Sequence, residues 1–448
     1  MMSTKADQLE LVFRHLVTAL GDRLHAHEHM SLELTGEQSQ FVRFNRAKVR
    51  QIGTVSDGQV RLTLMADQRT GYYDLPLTGI WDQDWHHAQA ALDTLRRELP
   101  QLPVDPYLVL PSGTANSGEL YQGMIPAPRD VPDLVLAEVA GLDFAGLYAG
   151  GRVVRGYGDS VGQYHWFATD SFTLDYSLFT TDGQAVKGTY AGSHWQPNRY
   201  TARLDQAKQQ LTRLAQPRKT VPAGSYRTYF APAAIAELLS MFSWGGISEA
   251  ALQRGDSAFR LLQTGEQRLS PLFTLSEDFS HGLVPRFNQL GDMTPVHVPL
   301  IVQGELVNTL VNARTAKEYG KVANGANGGE TLRSPDLRPG NLLPDHVLST
   351  LDTGLYVSNL HYLNWSDRPT GRITGMTRYA CFWVEAGQMI APIENLRFDE
   401  SLYRCFGSHL VALTQTQDFV PEVGSYEHRD LGGMWVPGAI VDDFVYTL

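Results

Sequence analysis

Gly158-Asp159-Ser160-Val161-Gly162 satisfies the Gly-x-Ser-x-Gly pattern of a serine-hydrolase elbow. That chemistry needs a strand before the serine and a helix after it, because the sharp turn exposes the hydroxyl while the helix N-terminus supports the oxyanion. Here the residues beyond Gly162 alternate as a strand, so the motif reads as a glycine-rich β-turn. His25, His27 and His29 would share one face of a strand, but such neighbours stand about 6 to 7 Å apart, too far for three imidazoles to reach one zinc ion at about 2.1 Å. They read as a solvated strand entry. His-Glu occurs at His27-Glu28, with Ser31 where a metalloprotease helix would carry its second histidine. His86-His87 point apart on a helix, and Asp442-Asp443 read as a solvated strand end. Cys381 and Cys405 are too few for a disulfide framework or a thiolate-only zinc site, and both sit among apolar, strand-like residues that suggest core packing.

The elements that would position these groups follow from periodicity. Leu9, Val12, Phe13, Leu16 and Leu20 recur at helical spacing within Met1 to Leu20, where charges interrupt any signal-peptide core. The period then falls to two: Phe41 and Val42 lead toward Asn45, and Val60, Leu62 and Leu64 follow the turn signal Asp57-Gly58, predicting a hairpin. Trp85, Ala88, Leu92, Leu95 and Leu99 return to helical spacing before a proline-rich linker near 100–111. Phe172, Leu174, Tyr176 and Leu178 alternate toward Asp182-Gly183 and Tyr190, a second hairpin, and Leu204, Ala207, Leu211 and Leu214 predict a helix ended by Pro217. A helix near 232–243 opens at Pro232 and carries Ile235, Leu238, Leu239 and Phe242. Gly320 to Gly340 reads as a long loop, mobile or moulded around something else, and from about Thr294 the chain consists mostly of short strands.

These elements give an α+β fold: an N-terminal helix/strand domain over 1–220, then a strand-rich C-terminal domain over 221–448 with antiparallel sheets. The 448 residues are 43% hydrophobic and 19% charged, proportions that bury a core and argue against disorder. With 37 Lys+Arg against 48 Asp+Glu, the net charge of -11 disfavours nucleic acid. No run of about 18 apolar residues would span a bilayer, and the cysteine usage fits a reducing cytoplasm.

Gly354-Leu355-Tyr356-Val357 is followed by Asn364, Thr370-Gly371, Thr374-Gly375, Phe382 through Gln388 and Pro392-Ile393. This order and spacing resemble the signature of the TldD/PmbA family, once called modulators of DNA gyrase. Collinear likenesses cover nearly the whole chain: Phe44-Asn45 to Asp57-Gly58, Asp182-Gly183 to Tyr190, Gly224-Ser225-Tyr226 with Ala231-Pro232, and Gly304-Glu305-Leu306 with Asn312, Tyr319-Gly320 and Asn324-Gly325. In the TldD kind of subunit, a His-Glu-x-x-x-His helix after a Leu-Leu pair and a later cysteine hold zinc. Placed after Leu238-Leu239, those positions are Ser240, Met241 and Gly245, none of which supplies a nitrogen ligand or a general base, and no cysteine follows Cys405.

The sequence therefore resembles the PmbA kind, also called TldE. That resemblance implies a chain without metal or catalytic residues, serving in a cytoplasmic heterodimer whose TldD-like zinc metalloprotease subunit hydrolyses an extended peptide. A homodimeric peptide- or protein-binding module without a protease role is the alternative. The polar loop Asn364, Thr370, Gly371, Thr374 and Gly375 would contact the peptide backbone, although the same residues also suit turn geometry.

Overall fold

The structure, a computed structural model, describes residues 5–447. Its first helix, Lys5–Gly21, buries Leu9, Val12, Phe13, Leu16 and Leu20, as their spacing requires; residues 1–4 of the predicted helix lie outside the described residues. The helix packs on a seven-stranded sheet ordered Arg69–Pro76, Lys48–Ala66, His29–Asn45, Asp143–Asp159, Tyr164–Phe179 and Asn116–Tyr121, with Ala185–Gly192 also paired to Tyr164–Phe179.

Asp57-Gly58 is not the turn of the first hairpin. It lies inside Lys48–Ala66, where Gly58 pairs with Gly36 and Asp57 with Glu37, and the chain reverses at Arg46 and Ala47, each at φ 50°. The glycines serve helix docking: a Cβ on Gly58 would stand 3.2 Å from Leu9 Cδ2, and one on Gly36 would stand 3.4 Å from Leu9 Cδ1. Packing overrides the local turn signal. The second hairpin turns at Asp182-Gly183, with Gly183 at φ 82°.

A helix, Pro197–Leu214, leads to a thirteen-stranded sheet spanning 224–446. At its centre Gly433–Tyr446 runs antiparallel to both Leu410–Pro421 and Gly224–Phe230. The helix Pro232–Ser243 lies in its core, burying Ile235, Leu238, Leu239, Met241 and Phe242. A shared core crosses between the two sheets, joining Val42, Tyr148, Tyr200 and Leu204 to Tyr229, Tyr356, Phe382 and Ile440. The proline-rich segment also ties the halves: Asp105 accepts from Arg314 at 3.1 Å, and Lys317 donates to the Leu108 carbonyl at 2.7 Å. The loop from Gly320 is moulded on its own neighbours. Glu330 accepts from Ser248 Oγ, Ala250 N and Asn312 N, and Asn324 Nδ2 donates to Thr309 O.

Candidate functional site

The elbow motif is a turn between two strands, with no helix after Ser160. Asp159 organises it: Oδ1 accepts from the N–H groups of Val161, Gly162 and Gln163, each at 3.0 Å, and Oδ2 accepts from Gln163 Nε2 and Tyr157 Oη. Ser160 Oγ accepts from Met30 N at 3.1 Å. Among the described residues no imidazole or carboxylate accepts a hydrogen bond from Ser160 Oγ, so no base stands ready to take a serine proton.

The three N-terminal histidines do not share a strand. His25 and His27 occupy the turn before His29–Asn45, because Glu28 closes that turn by accepting from His25 N at 2.8 Å and pairs with Arg96 at 2.7 Å. His86 and His87 lie on the helix Trp81–Glu98. Asp442 and Asp443 fall inside Gly433–Tyr446 at a bulge rather than at its end; Asp442 pairs with Arg227 at 2.9 Å. Both cysteines are free and buried, and burial pushes the Cys381 thiol up to about 11.

The positions that resemble a degenerate zinc motif are separated by the end of the central helix. Ser240 is exposed and donates to Glu237 O at 2.7 Å, whereas Met241 is buried. Gly245 lies beyond the helix at φ 79°, and a Cβ there would stand 3.2 Å from the Arg368 guanidinium. These residues do not fit zinc: they offer no imidazole or carboxylate donor, and the Arg368 guanidinium stands over the third position.

The polar-loop residues belong to the hairpin of Asn359–Asp367 and Arg372–Arg378. Asn364 faces Thr374 across the ladder, Thr370 Oγ1 donates to Asp367, and Thr374 Oγ1 donates to Phe398 O. Gly371 takes φ 67° in the connecting turn, and a Cβ on Gly375 would strike the Phe398 ring. Trp365 Nε1 donates to Trp244 O at 2.7 Å, which pins this hairpin to the end of the central helix.

Of all these sequence-selected residues, Ser240 lines the main groove, a cavity of about 720 Å³ between the two sheets. Its walls come from Asp175 to Thr189, the helix Pro197–Leu214, the first turns of Pro232–Ser243, Tyr356 to Asn359 and Thr414 to Val423. Two strand edges border it. Among the described residues Ala185–Gly192 pairs only with Tyr164–Phe179, whereas Leu410–Pro421 pairs with Gly433–Tyr446 and is bridged on its other edge to 340–342 at Leu413 to Gln415, which leaves 416–421 without a second partner strand. Lys187 pairs with Asp175, and Arg203 reaches across the groove to Asp418 at 2.8 Å. Burial pushes the Tyr356 hydroxyl up to about 12 while it accepts from Gln210 Nε2.

Glu237 and Glu422 also line the groove, and sequence reasoning missed both. Both side chains are exposed, and the partial desolvation they meet beside the groove raises the pKa of each; Glu422 raises Glu237 further, and Asp430 does the same to Glu422. One signal was available: Glu237 is the only charged residue of its helix.

Three residues of metal-ligand type converge elsewhere: carboxylate or imidazole atoms of Asp278, His281 and Asp336 lie within 4.8 Å of one another. These three do not line the groove. Asp278 accepts from Ser280 N, Asp336 accepts from Gln417 Nε2, and the His281 ring packs on Trp435.

Residues 223–447, half of the chain, match the PmbA/TldA metallopeptidase C-terminal domain. The chain belongs to the PmbA/TldD family. Solved structures share the fold over essentially the whole length. A candidate modulator of DNA gyrase from Bacteroides thetaiotaomicron superposes with TM-score 0.78 at 16% identity, covering 100% of both chains. TldE from Thermococcus kodakarensis gives 0.75 at 14%, and a candidate modulator of DNA gyrase from Thermotoga maritima gives 0.74 at 15%, each covering 98% of this chain and 100% of the other. No curated protein matches the sequence. In this chain the groove, rather than the hairpin, brings together the larger set of polar and apolar groups. No helix among the described residues is long and apolar enough to cross a membrane.

Proposed function

We propose that this chain is a non-catalytic subunit without metal, which holds an extended peptide in the groove while a TldD-like zinc subunit in a cytoplasmic heterodimer hydrolyses it. The observation that carries this reading is a groove of about 720 Å³ bordered by Ala185–Gly192 and by 416–421, two edges with no second partner strand among the described residues. An extended peptide adds to such an edge through backbone hydrogen bonds, which give affinity with little demand on sequence. The donor set at Ser240, Met241 and Gly245 supports the assignment of hydrolysis to the partner, since it offers nothing to bind zinc or deprotonate water. Within this reading, the hairpin residues Asn364, Thr370 and Thr374 are a second contact for the peptide, held in place by the turn at Gly371 and by the close packing of the Gly375 strand on Phe398.

Hydrogen exchange on the purified chain, with and without an excess of unstructured polypeptide, tests the binding role. Protection of Ala185–Gly192 and of 416–421 is expected; binding that leaves both edges unprotected contradicts it. Failure to form a heterodimer on co-expression with a TldD-like chain would favour a homodimeric binder instead.

A further inference from the structure

We propose that the outer edge of the first hairpin, over 48–56, is a docking strand for an extended segment of a partner protein that carries apolar residues on one face and acidic residues on the other. The strand Arg69–Pro76 covers Lys48–Ala66 only from Gln59 onward. Just before it, the Gly58 carbonyl points outward and accepts from Leu77 N at 2.7 Å. The ladder to His29–Asn45 is regular from Gly58 back to Gln51, so the alternation of the strand turns the backbone N–H and C=O groups of Ser56, Thr54 and Ile52 to that same side. No strand among the described residues receives them. This edge lies outside the groove, so the inference does not rest on the peptide-binding role proposed above.

The side chains along the edge define what it accepts. Val49 and Ile52 stand opposite Phe44 and Val42, which are buried, yet Val49 is 37% and Ile52 52% exposed. They form the uncovered rim of that core face, and an added strand with apolar side chains on the same face would cover them. Arg43, Arg46, Lys48 and Arg50 are exposed and have no ion pair or side-chain hydrogen bond among the described residues. No acidic residue occurs between Glu37 and Asp57 to offset them. In a chain of net charge -11, this unpaired basic tip repels a second copy of the same edge and attracts an acidic strand. Gly53 points the same way. Neither a positive φ nor a neighbour within 4 Å of a Cβ requires a glycine there, and its bare backbone leaves room for another to approach.

The test is fluorescence anisotropy and hydrogen exchange with three labelled peptides of equal length and blocked termini: Val and Glu alternating, Val and Lys alternating, and the same Val and Glu residues in two blocks. The alternating Val/Glu peptide should bind about tenfold more tightly than the other two and should protect 52–56 from exchange. Thr54→Pro removes an outward N–H and leaves the ladder to Gln40 in place, so the folded variant should lose about tenfold in affinity for that peptide. Arg43→Glu/Lys48→Glu/Arg50→Glu, confined to exposed side chains, should turn the preference toward the Val/Lys peptide. Val/Glu binding that survives either variant unchanged, protection confined to Ala185–Gly192 or 416–421, or no binding by any peptide overturns this inference. Protection at those two groove edges would leave the groove reading standing.

Discussion

Asp159 and Glu237 are both carboxylates in glycine- or helix-rich surroundings that a motif search would visit, and the fold treats them in opposite ways. Asp159 is buried and collects five donors that fix the turn at Ser160 and Gly162. Glu237 is left without a partner on the wall of an open groove. A carboxylate saturated by its own chain has no valence left for a ligand, whereas an exposed one without a protein partner is solvated and free to accept one. Glu277 lies between them: it is buried and accepts from the Arg333 and Ser334 N–H groups, but burial still pushes it up to about 7.

The comparison can be broken by replacing each group in turn. Asp159→Ala leaves buried donors unmet around a whole turn and should cost about 4 kcal/mol, read from urea unfolding. A loss under about 1 kcal/mol would mean that the turn does not depend on its carboxylate. For Glu277, the folded pKa of about 7 exceeds the ordinary 4.5, so the folded state binds more protons than the unfolded state between those values. Its contribution is therefore fully present below pH 4.5 and is lost as pH rises through about 7. Glu33, also raised to about 7 by burial, adds to the same slope. Unfolding free energy should fall by about 3 kcal/mol per group across that window, and Glu277→Gln should flatten the curve by one group's share. An unchanged pH profile in that variant contradicts the assignment.

Ser160→Ala removes the acceptor for Met30 N and should cost about 1 kcal/mol while leaving any hydrolytic activity unchanged; abolished activity would revive the elbow. Smallest of all, Glu237→Gln removes a repelled charge and should change stability by less than about 1 kcal/mol, with a gain expected at pH 8. A clear loss there would show that Glu237 has a structural partner after all.

Periodicity disclosed much of the frame. The helix Pro232–Ser243 and the strands around Asp182-Gly183 lie where apolar spacing and proline or glycine punctuation place them. Ser240, Met241 and Gly245 also declared their lack of metal donors by residue type alone. Asp57-Gly58 misled because turn chemistry is local, while the need to admit Leu9 against the sheet is not. The groove was illegible for the same reason. Its walls come from segments between Asp175 and Met434, and nothing within a short window joins Glu237 to Glu422. Arg429 escaped notice likewise: it lies on the loop before the last strand yet donates to Ser39 Oγ and Ser171 Oγ of the first sheet.

Peptidase activity and bound zinc, measured together on an unstructured polypeptide, test the division of labour most directly. The purified chain alone should carry no stoichiometric zinc and cleave nothing, and addition of a TldD-like subunit should bring both zinc and cleavage. Zinc-dependent hydrolysis by the isolated chain would contradict the account.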